Sequence, residues 1–115
     1  IFVSYFDNLE ATEILLKHNA EVDAKDASGN TALIGVSFKG NLPIVKLLLS
    51  NGAGINTTNN TGATALIFAT MYKQQVIVDL LLKHGADKSL KDDSGNTALD
   101  YAKEKAFKDL EKLLK

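Results

Sequence analysis

Two histidines and one pair of neighbouring aspartates are the side chains in this sequence with the clearest capacity for catalysis or metal binding. His18 and His84 each fall in the last turn of a predicted helix, at equivalent points of an internal repeat and two periods apart. Side chains separated in this way cannot share a metal ion, and an imidazole near a helix C-terminus is also favoured by the helix dipole. Asp92 and Asp93 fall in a predicted turn, whereas a general acid or base needs a desolvated carboxylate. None of these residues predicts an active site.

The other stretches with a chemical signature also favour structural roles. Residues 52–54 read Gly-Ala-Gly, but no Gly-Lys-Ser or Gly-Lys-Thr follows, so they do not indicate a phosphate-binding loop. The lysines of residues 103–115 alternate with Glu104, Asp109 and Glu111, which is typical of a solvated helix face. The chain has no cysteine, which removes disulfides, zinc–thiolate sites and cysteine nucleophiles together. We expect no enzyme activity, no cofactor and no metal within these residues.

The composition favours one folded domain and argues against several classes of partner. The chain has 115 residues, of which 45% are hydrophobic, enough for a core. Its net charge of −1 gives no electrostatic basis for binding nucleic acid. No apolar run approaches the ~18 residues of a membrane span, and residues 1–6 lack the basic leader of a signal peptide. We therefore expect no nucleic acid and no membrane as partner, while the lack of cysteine leaves the compartment open.

One short phrase occurs three times at a fixed spacing. Residues 29–34 read GNTALI, residues 62–67 read GATALI, and residues 95–99 read GNTAL. The spacing is constant, since 62 − 29 and 95 − 62 both equal 33. A fixed period of about 20–50 residues indicates stacked structural repeats.

Each period predicts a turn followed by two helices. In residues 26–58, short polar residues around a glycine form a turn over 26–30. Thr31 is suited to cap a short helix over 32–39 that ends at Gly40. Asn41 is suited to cap a second helix, in which Pro43 occupies the first turn and Gly52 follows the end.

A single helix pair of this kind cannot bury its own apolar face, so neighbouring pairs must stack. We predict that stacking buries leucines of one period against those of the next, namely Leu33, Leu47 and Leu48 against Leu66, Leu80 and Leu81. Truncating Leu47 or Leu80 to alanine is then expected to cost about 2–5 kcal/mol. The predicted fold class is all-α, a solenoid of stacked helix-turn-helix units.

These features together resemble the ankyrin repeat. The glycine turn, the Thr-x-Leu after it, the Ile-Val-x-Leu-Leu-Leu helix and the following Gly-Ala carry the resemblance over essentially the whole chain. It implies L-shaped units of two antiparallel helices with a projecting β-turn finger, and a non-enzymatic function in binding proteins. The chain departs from the family's usual Thr-Pro-Leu-His, with alanine for the proline and Ile34, Ile67 and Asp100 for the histidine. We therefore expect the fingers to lack histidine-mediated hydrogen bonds and to be held less firmly.

The period divides residues 1–115 into four units of one ankyrin-repeat domain. They are a truncated first repeat at 1–25, repeats at 26–58 and 59–91, and a C-terminal capping repeat at 92–115. The last unit carries Glu111 and Lys115 where inner units carry valine and leucine, as expected of an outward face that caps a solenoid. The first unit keeps apolar residues and begins in mid-pattern, so we expect a longer protein, or an uncapped end that a partner or a second copy covers. A monomer and weak self-association through this end are both open.

Large side chains recur at fixed positions of the first helix. When the finger residue Asp26 is counted as position one, positions thirteen and fourteen lie on one helix face with position ten. The resemblance implies that thirteen and fourteen face the inner, concave surface and vary with the partner. These residues are Tyr5, Phe6, Phe38, Lys39, Met71, Tyr72, Glu104 and Lys105. At position ten, Phe2, Phe68 and Tyr101 are expected to pack in the core, as is Phe107.

The finger tips form a second candidate surface. Their small polar side chains are able to supply adaptable hydrogen bonds, although residue type alone favours ordinary turn residues. The candidates are Ser28, Asn30, Asn60, Thr61, Asp93 and Ser94.

The sequence thus predicts a protein-binding module that holds an extended or helical segment of a partner in its groove, with the fingers at the rim. Two alternatives stay open: a regulatory or targeting domain of a larger enzyme or multidomain protein, and an architectural module that self-associates. The sequence does not name the partner.

Overall fold

The computed structural model describes residues 22–115, which form three helix pairs and the turns between them. The helices are α1 (Ala32–Lys39), α2 (Leu42–Ser50), α3 (Ala65–Met71), α4 (Gln75–Lys83), α5 (Ala98–Glu104) and α6 (Lys108–Leu114). We call α1, α3 and α5 the inner helices and α2, α4 and α6 the outer helices. No strand occurs in this range, so the predicted all-α solenoid is confirmed. No helix among the described residues is long and apolar enough to span a membrane.

The inner helices all begin at a threonine of the repeated phrase. The hydroxyl oxygens of Thr31, Thr64 and Thr97 each accept a hydrogen bond from the amide three residues later, at 3.2–3.3 Å. The last inner helix, α5, adds a reciprocal bond, because the amide of Thr97 donates to the carboxylate of Asp100 at 2.9 Å. The predicted threonine caps are therefore confirmed, and Asp100 closes a capping box.

The inner helices end at residues in the left-handed backbone conformation. Gly40 has φ +82°, and the residues one and two periods later, Lys73 and Ala106, both have φ +57°. This conformation turns the chain sharply into the outer helix, and it is unfavourable for any residue with a Cβ. The outer helix that follows Gly40 begins as predicted, with Asn41 Oδ1 accepting from the amide of Ile44 at 3.3 Å.

The core lies between the helix pairs. Inner helices pack side by side along the stack, each against its own outer helix, while outer helices touch one another less extensively. The stack therefore curves, with the inner helices on its concave side. The largest fully buried side chains come from both layers: Leu33, Ile34, Val36, Ile44, Val45, Leu48, Leu66, Ile67, Ile77, Val78, Leu81 and Leu110.

The structure corrects the prediction of which outer-helix leucines are buried. Leu48 and Leu81 are fully buried, but Leu47 and Leu80 are only half-buried. A helix turns by about 100° per residue, so consecutive leucines cannot both point at the same neighbour. The larger truncation cost is therefore expected at Leu48 and Leu81, and a smaller one at Leu47 and Leu80.

The two charged residues assigned to the C-terminal cap differ in their exposure. Lys115 is exposed, but the side chain of Glu111 is only 13% exposed and its Oε2 lies 3.6 Å from Lys108 Nζ. The carboxylate of Glu111 is therefore less exposed to solvent than expected of a charged residue on a capping face. The other end of the stack, with the unit at 1–25 and its apolar residues, falls largely outside the described residues.

Adjacent fingers are hydrogen bonded to each other without histidine. The amide of Asn60 donates to the carbonyl of Ser28 at 3.0 Å, and the amide of Asp93 donates to the carbonyl of Thr61 at 2.9 Å. The side chain of Asn60 adds a bond to the carbonyl of Ala27 at 3.0 Å. Backbone groups thus supply the connection that was expected to be weak after the loss of the family's histidine.

Candidate functional site

Three aromatic rings form a continuous cluster on the concave face. The rings of Phe38 and Tyr72 are 4.4 Å apart between centroids and tilted by 45°. The ring of Phe68 stacks on Tyr72 at 6.4 Å. Phe38 and Tyr72 are 44% and 48% exposed, whereas Phe68 is half-buried against the core. Two of the predicted groove residues therefore expose aromatic surface together, one from each of two neighbouring repeats.

A pocket of about 220 Å³ opens beside these rings. Its walls come from α1, α3 and the finger that precedes α1, and its lining is mostly apolar. The lining residues are Asn30, Ile34, Gly35, Phe38, Lys39, Phe68 and Tyr72. The pocket thus brings together four predicted site residues from two repeats, which the sequence had assigned to two separate surfaces.

The other predicted groove residues lie outside this pocket. Met71 is half-buried and packs against the core, so it presents less surface than its predicted neighbours. Glu104 and Lys105 are exposed at the corresponding positions of α5, one period beyond Met71 and Tyr72. Tyr5 and Phe6 lie outside the described residues.

The finger tips are exposed, but much of their polar capacity is used within the fingers. The side chain of the first polar residue in each finger accepts hydrogen bonds from two backbone amides, two and four positions later. In the first described finger, Asp26 accepts from the amides of Ser28 and Asn30, both at 2.9 Å. Thr61 donates both its amide and its hydroxyl to Asn59 Oδ1, each at 2.9 Å. Asp93 and Ser94 are exposed, and the amide of Ser94 donates to Asp92 at 3.0 Å.

Comparison with known proteins assigns the family. A family model described as ankyrin repeats (3 copies) matches residues 1–59 and 33–115, and the two matches together span the whole chain. The chain belongs to the ankyrin-repeat family. Ankyrin repeats are in general protein–protein interaction modules and are typically non-enzymatic. A comparison with curated proteins gave no match.

One member of the acidic pair in the last ankyrin finger, Asp92, has a structural role. Asp92 accepts hydrogen bonds from the amides of Ser94 and Asn96 and from the hydroxyl of Tyr101. Burial acts to raise the pKa of Asp92, but these hydrogen bonds outweigh it, so the pKa lies below its usual value. The bond to Asp92, together with burial, raises the pKa of Tyr101. Asp92 is therefore stabilised as an anion that accepts hydrogen bonds within the turn. A carboxyl that acts as a general acid needs the opposite, a raised pKa.

The histidine and acidic side chains in the described part of this ankyrin stack do not cluster into a metal site. Residues 22–115 contain no group of three or more histidine or acidic side chains placed to hold a metal ion. His84 is exposed at the C-terminal cap of α4, as its predicted position indicated. His18 lies outside the described residues.

The sequence prediction missed three residues that line the concave pocket. Ile34 and Gly35 precede the predicted position-thirteen residue on α1, and Phe68 had been assigned to the core. A signal for Gly35 was present, because position ten carries Phe68 and Tyr101 in the next two ankyrin repeats and glycine here. A glycine aligned with two aromatic residues marks a place where side-chain volume is missing.

Proposed function

We propose that this chain is a non-enzymatic ankyrin module that binds a partner protein through the concave face. The exposed pair Phe38 and Tyr72, in contact across two repeats, is the observation on which this proposal rests. The finger tips form the rim of the binding surface, with Ser28, Asn30, Asn60, Thr61, Asp93 and Ser94 as candidate contacts.

The exposed aromatic area supports a binding role. Aromatic residues are enriched at protein interfaces, and a few such residues in desolvated pockets usually carry most of the binding free energy. Phe38 and Tyr72 line one pocket, and the inner helices that carry them are packed side by side. The two rings also contact each other at 4.4 Å between centroids, which restricts their rotamers before binding and lowers the entropic cost of association.

The outer surface offers a matched control. Val76 on α4 is 64% exposed and is the other large exposed hydrophobic residue among those described. It lies on an outer helix, so it tests whether apolar exposure alone, anywhere on the stack, accounts for binding.

The test begins with identification of the partner by affinity capture and mass spectrometry. The purified partner is then titrated by calorimetry against the wild type, the double variant Phe38→Ser/Tyr72→Ser, and Val76→Ser. We expect at least a tenfold weaker affinity for the double variant and no change for Val76→Ser, with circular dichroism showing that both are folded. Unchanged affinity of a folded double variant would refute the concave assignment.

The finger contribution is tested separately with Asp93→Lys. This exposed tip residue contributes its backbone amide, and not its side chain, to the bond with Thr61. The substitution therefore changes the charge of the rim while preserving the connection between fingers. A changed association rate or affinity would support a partner that reaches the fingers, and an unchanged titration would confine binding to the inner helices.

A further inference from the structure

We propose that the pocket over Gly35 receives one aromatic side chain from an acidic segment of the partner. This inference rests on the proposed concave binding function and names the chemistry of its partner. It concerns the pocket lined by Gly35, Phe38, Phe68 and Tyr72, which we call the Gly35 pocket.

The absence of a side chain at Gly35 explains why the stack has a pocket at this point. Position ten carries Phe68 in the next repeat and Tyr101 in the one after, and both are half-buried against the core. The equivalent residue on α1 is glycine, in a helical segment that does not require glycine for its backbone. A glycine inside a helix is less favourable than alanine, because glycine loses more backbone conformational freedom on folding. Its presence here is therefore unfavourable for the helix but opens space beside the aromatic cluster.

The size and walls of the Gly35 pocket suit a single side chain. Small-molecule sites usually enclose about 300–1,000 Å³, whereas this pocket has a volume of about 220 Å³ and is partly open to solvent. Phe38 and Tyr72 are tilted by 45° and Phe68 stacks on Tyr72. An inserted ring could make both offset-stacked and edge contacts with these walls, the two arrangements that aromatic pairs favour.

The charges near the pocket favour an acidic peptide. Lysines occupy positions fourteen and fifteen around Tyr72: Lys39 in the preceding repeat, Lys73 next to it, and Lys105 in the following repeat. Lys105 is exposed and forms no ion pair with the described residues, whereas the ammonium of Lys73 lies over the Phe107 ring, 5.3 Å from its centre. Glu104 is the one acid at positions thirteen to fifteen of the three described repeats. Lys39, which lines the pocket, and Lys105 therefore offer positive charge to carboxylates beside the inserted ring.

The same charges argue against a cationic ligand in the aromatic cluster. Aromatic rings can bind quaternary ammonium groups and methylated lysine through cation–π attraction. The Gly35 pocket contains no carboxylate among its described lining residues and has Lys39 in its wall. A cation would be repelled there, so an uncharged ring flanked by acids is the better match.

The test uses an unbiased library of displayed random nonapeptides, selected against the wild-type protein. We expect the enriched peptides to share one aromatic residue flanked by Asp or Glu, and the best of them, made synthetically, to bind more weakly as salt is raised. Replacing their aromatic residue by alanine should weaken binding at least tenfold. Selection that enriches no peptide, or only peptides without an aromatic residue or without acids, would overturn the proposal.

Variants of the protein then locate the site. Gly35→Leu should weaken the selected peptide at least tenfold, with Gly35→Ala intermediate if the larger substitution impairs folding. Lys105→Glu should weaken it several-fold, whereas the control Lys112→Glu, an exposed lysine on outer helix α6, should not. Binding that survives Gly35→Leu but fails in Phe38→Ser/Tyr72→Ser would refute the pocket and keep the concave function. Binding that survives both would refute the two together.

Discussion

The hydroxyl of Tyr101 donates a hydrogen bond to Asp92 Oδ2, which ties the last inner helix to the turn of its own finger. The two residues are nine positions apart, and they are joined only because the finger folds back toward the start of α5. The two pKa values are shifted in opposite directions: that of Asp92 is lowered and that of Tyr101 is raised.

This bond predicts a pH dependence of stability with two limbs. Because the pKa of Asp92 is lower in the folded state, its contribution is present above its usual value of 3.8 and is lost as pH falls through the folded pKa. Because the pKa of Tyr101 is raised, its contribution is present below 10.0 and is lost as pH rises through the folded pKa. Tyr101→Phe should therefore raise the pKa of Asp92 and shift acid unfolding to higher pH.

The effect should be small, below about 1 kcal/mol at neutral pH, because the carboxylate is only partly buried and remains screened by solvent. Carboxyl NMR titration and melting curves between pH 2 and 11 provide the measurement. Tyr72→Phe removes the same hydroxyl from an exposed ring and serves as the control. An acid limb identical in wild type and Tyr101→Phe would show that the bond does not form in solution.

Ala106→Gly should stabilise the protein. Ala106 has φ +57°, where a left-handed backbone costs about 1–2 kcal/mol, and the equivalent residue two periods earlier is Gly40. Part of this gain is offset, since glycine adds about 0.4–1 kcal/mol of entropy to the unfolded chain. We expect a net increase of about 0.5–1 kcal/mol in the free energy of unfolding, measured with urea.

The reverse substitution at Gly40 should destabilise. A Cβ added to Gly40 would be strained at φ +82° and would lie 2.6 Å from Gln74 Oε1. Lys73→Gly is a less clean test, because Lys73 Nζ also lies 5.3 Å from the centre of the Phe107 ring. If Ala106→Gly lowers stability, the left-handed turn at this point is not the native conformation.

Ser37 and Thr70 should respond in opposite ways to loss of the hydroxyl. They occupy the same repeat position and are both fully buried, but only Thr70 donates a hydrogen bond, to the carbonyl of Leu66 at 2.8 Å. The hydroxyl of Ser37 has no partner among the described residues. An unsatisfied buried polar group costs about 1–3 kcal/mol, so Ser37→Ala should raise the melting temperature.

Thr70→Val keeps the shape of the side chain and removes the bond, so it should cost about 0.5–1.5 kcal/mol. Both variants are measured by thermal and urea unfolding. A loss of stability in Ser37→Ala as large as that in Thr70→Val would mean that the serine hydroxyl is satisfied in solution.

Gly29→Ala and Gly95→Ala should separate backbone strain from the contact between fingers. Both glycines are left-handed, with φ +79° and +81°. A Cβ on Gly29 would lie 2.7 Å from the amide nitrogen of Asn60 and would also meet its side chain, whereas one on Gly95 meets nothing within 4 Å. Backbone strain should lower the free energy of unfolding by about 1–2 kcal/mol in both variants. The loss should be larger in Gly29→Ala, because its Cβ also clashes with Asn60.

Hydrogen exchange at the Asn60 amide, which donates to Ser28, gives the local readout. It should accelerate in Gly29→Ala and stay protected in Gly95→Ala. Equal losses of stability with an equally protected Asn60 amide would argue that adjacent fingers are not in contact.

Leu81→Ala should cost far more than Leu80→Ala, although the two are neighbours in sequence. Leu81 is fully buried and Leu80 is half-buried. Truncation of a fully buried leucine costs about 2–5 kcal/mol, and a partly exposed one costs less because less transfer free energy and no closed cavity are involved. Urea unfolding of the two variants measures the difference, and equal losses would contradict the observed orientation of α4.

The local features of the repeat were predictable from the sequence because each depends on residues a few positions apart. Thr31 caps α1 through an amide three residues away, Gly40 ends it, and Asn41 caps α2. The 33-residue spacing repeats these signals, so the number and order of helices among the described residues followed from one period. Exposure at Phe38 and Tyr72 was also anticipated, since Glu104 occupies the repeat position of Phe38 and Lys39 and Lys105 occupy that of Tyr72.

Only the tertiary structure decided which side chains meet between repeats. It selected Leu48 over Leu47 for the core, turned Met71 inward, joined Tyr101 to Asp92, and placed Gly35 beside the rings of the next repeat. The physical reason is that sequence periodicity specifies a face of a helix to within a residue or so, whereas burial and contact depend on the separation and rotation of helices 33 residues apart. The solenoid is therefore encoded locally and repeatedly, and its pocket arises where one repeat departs from the others.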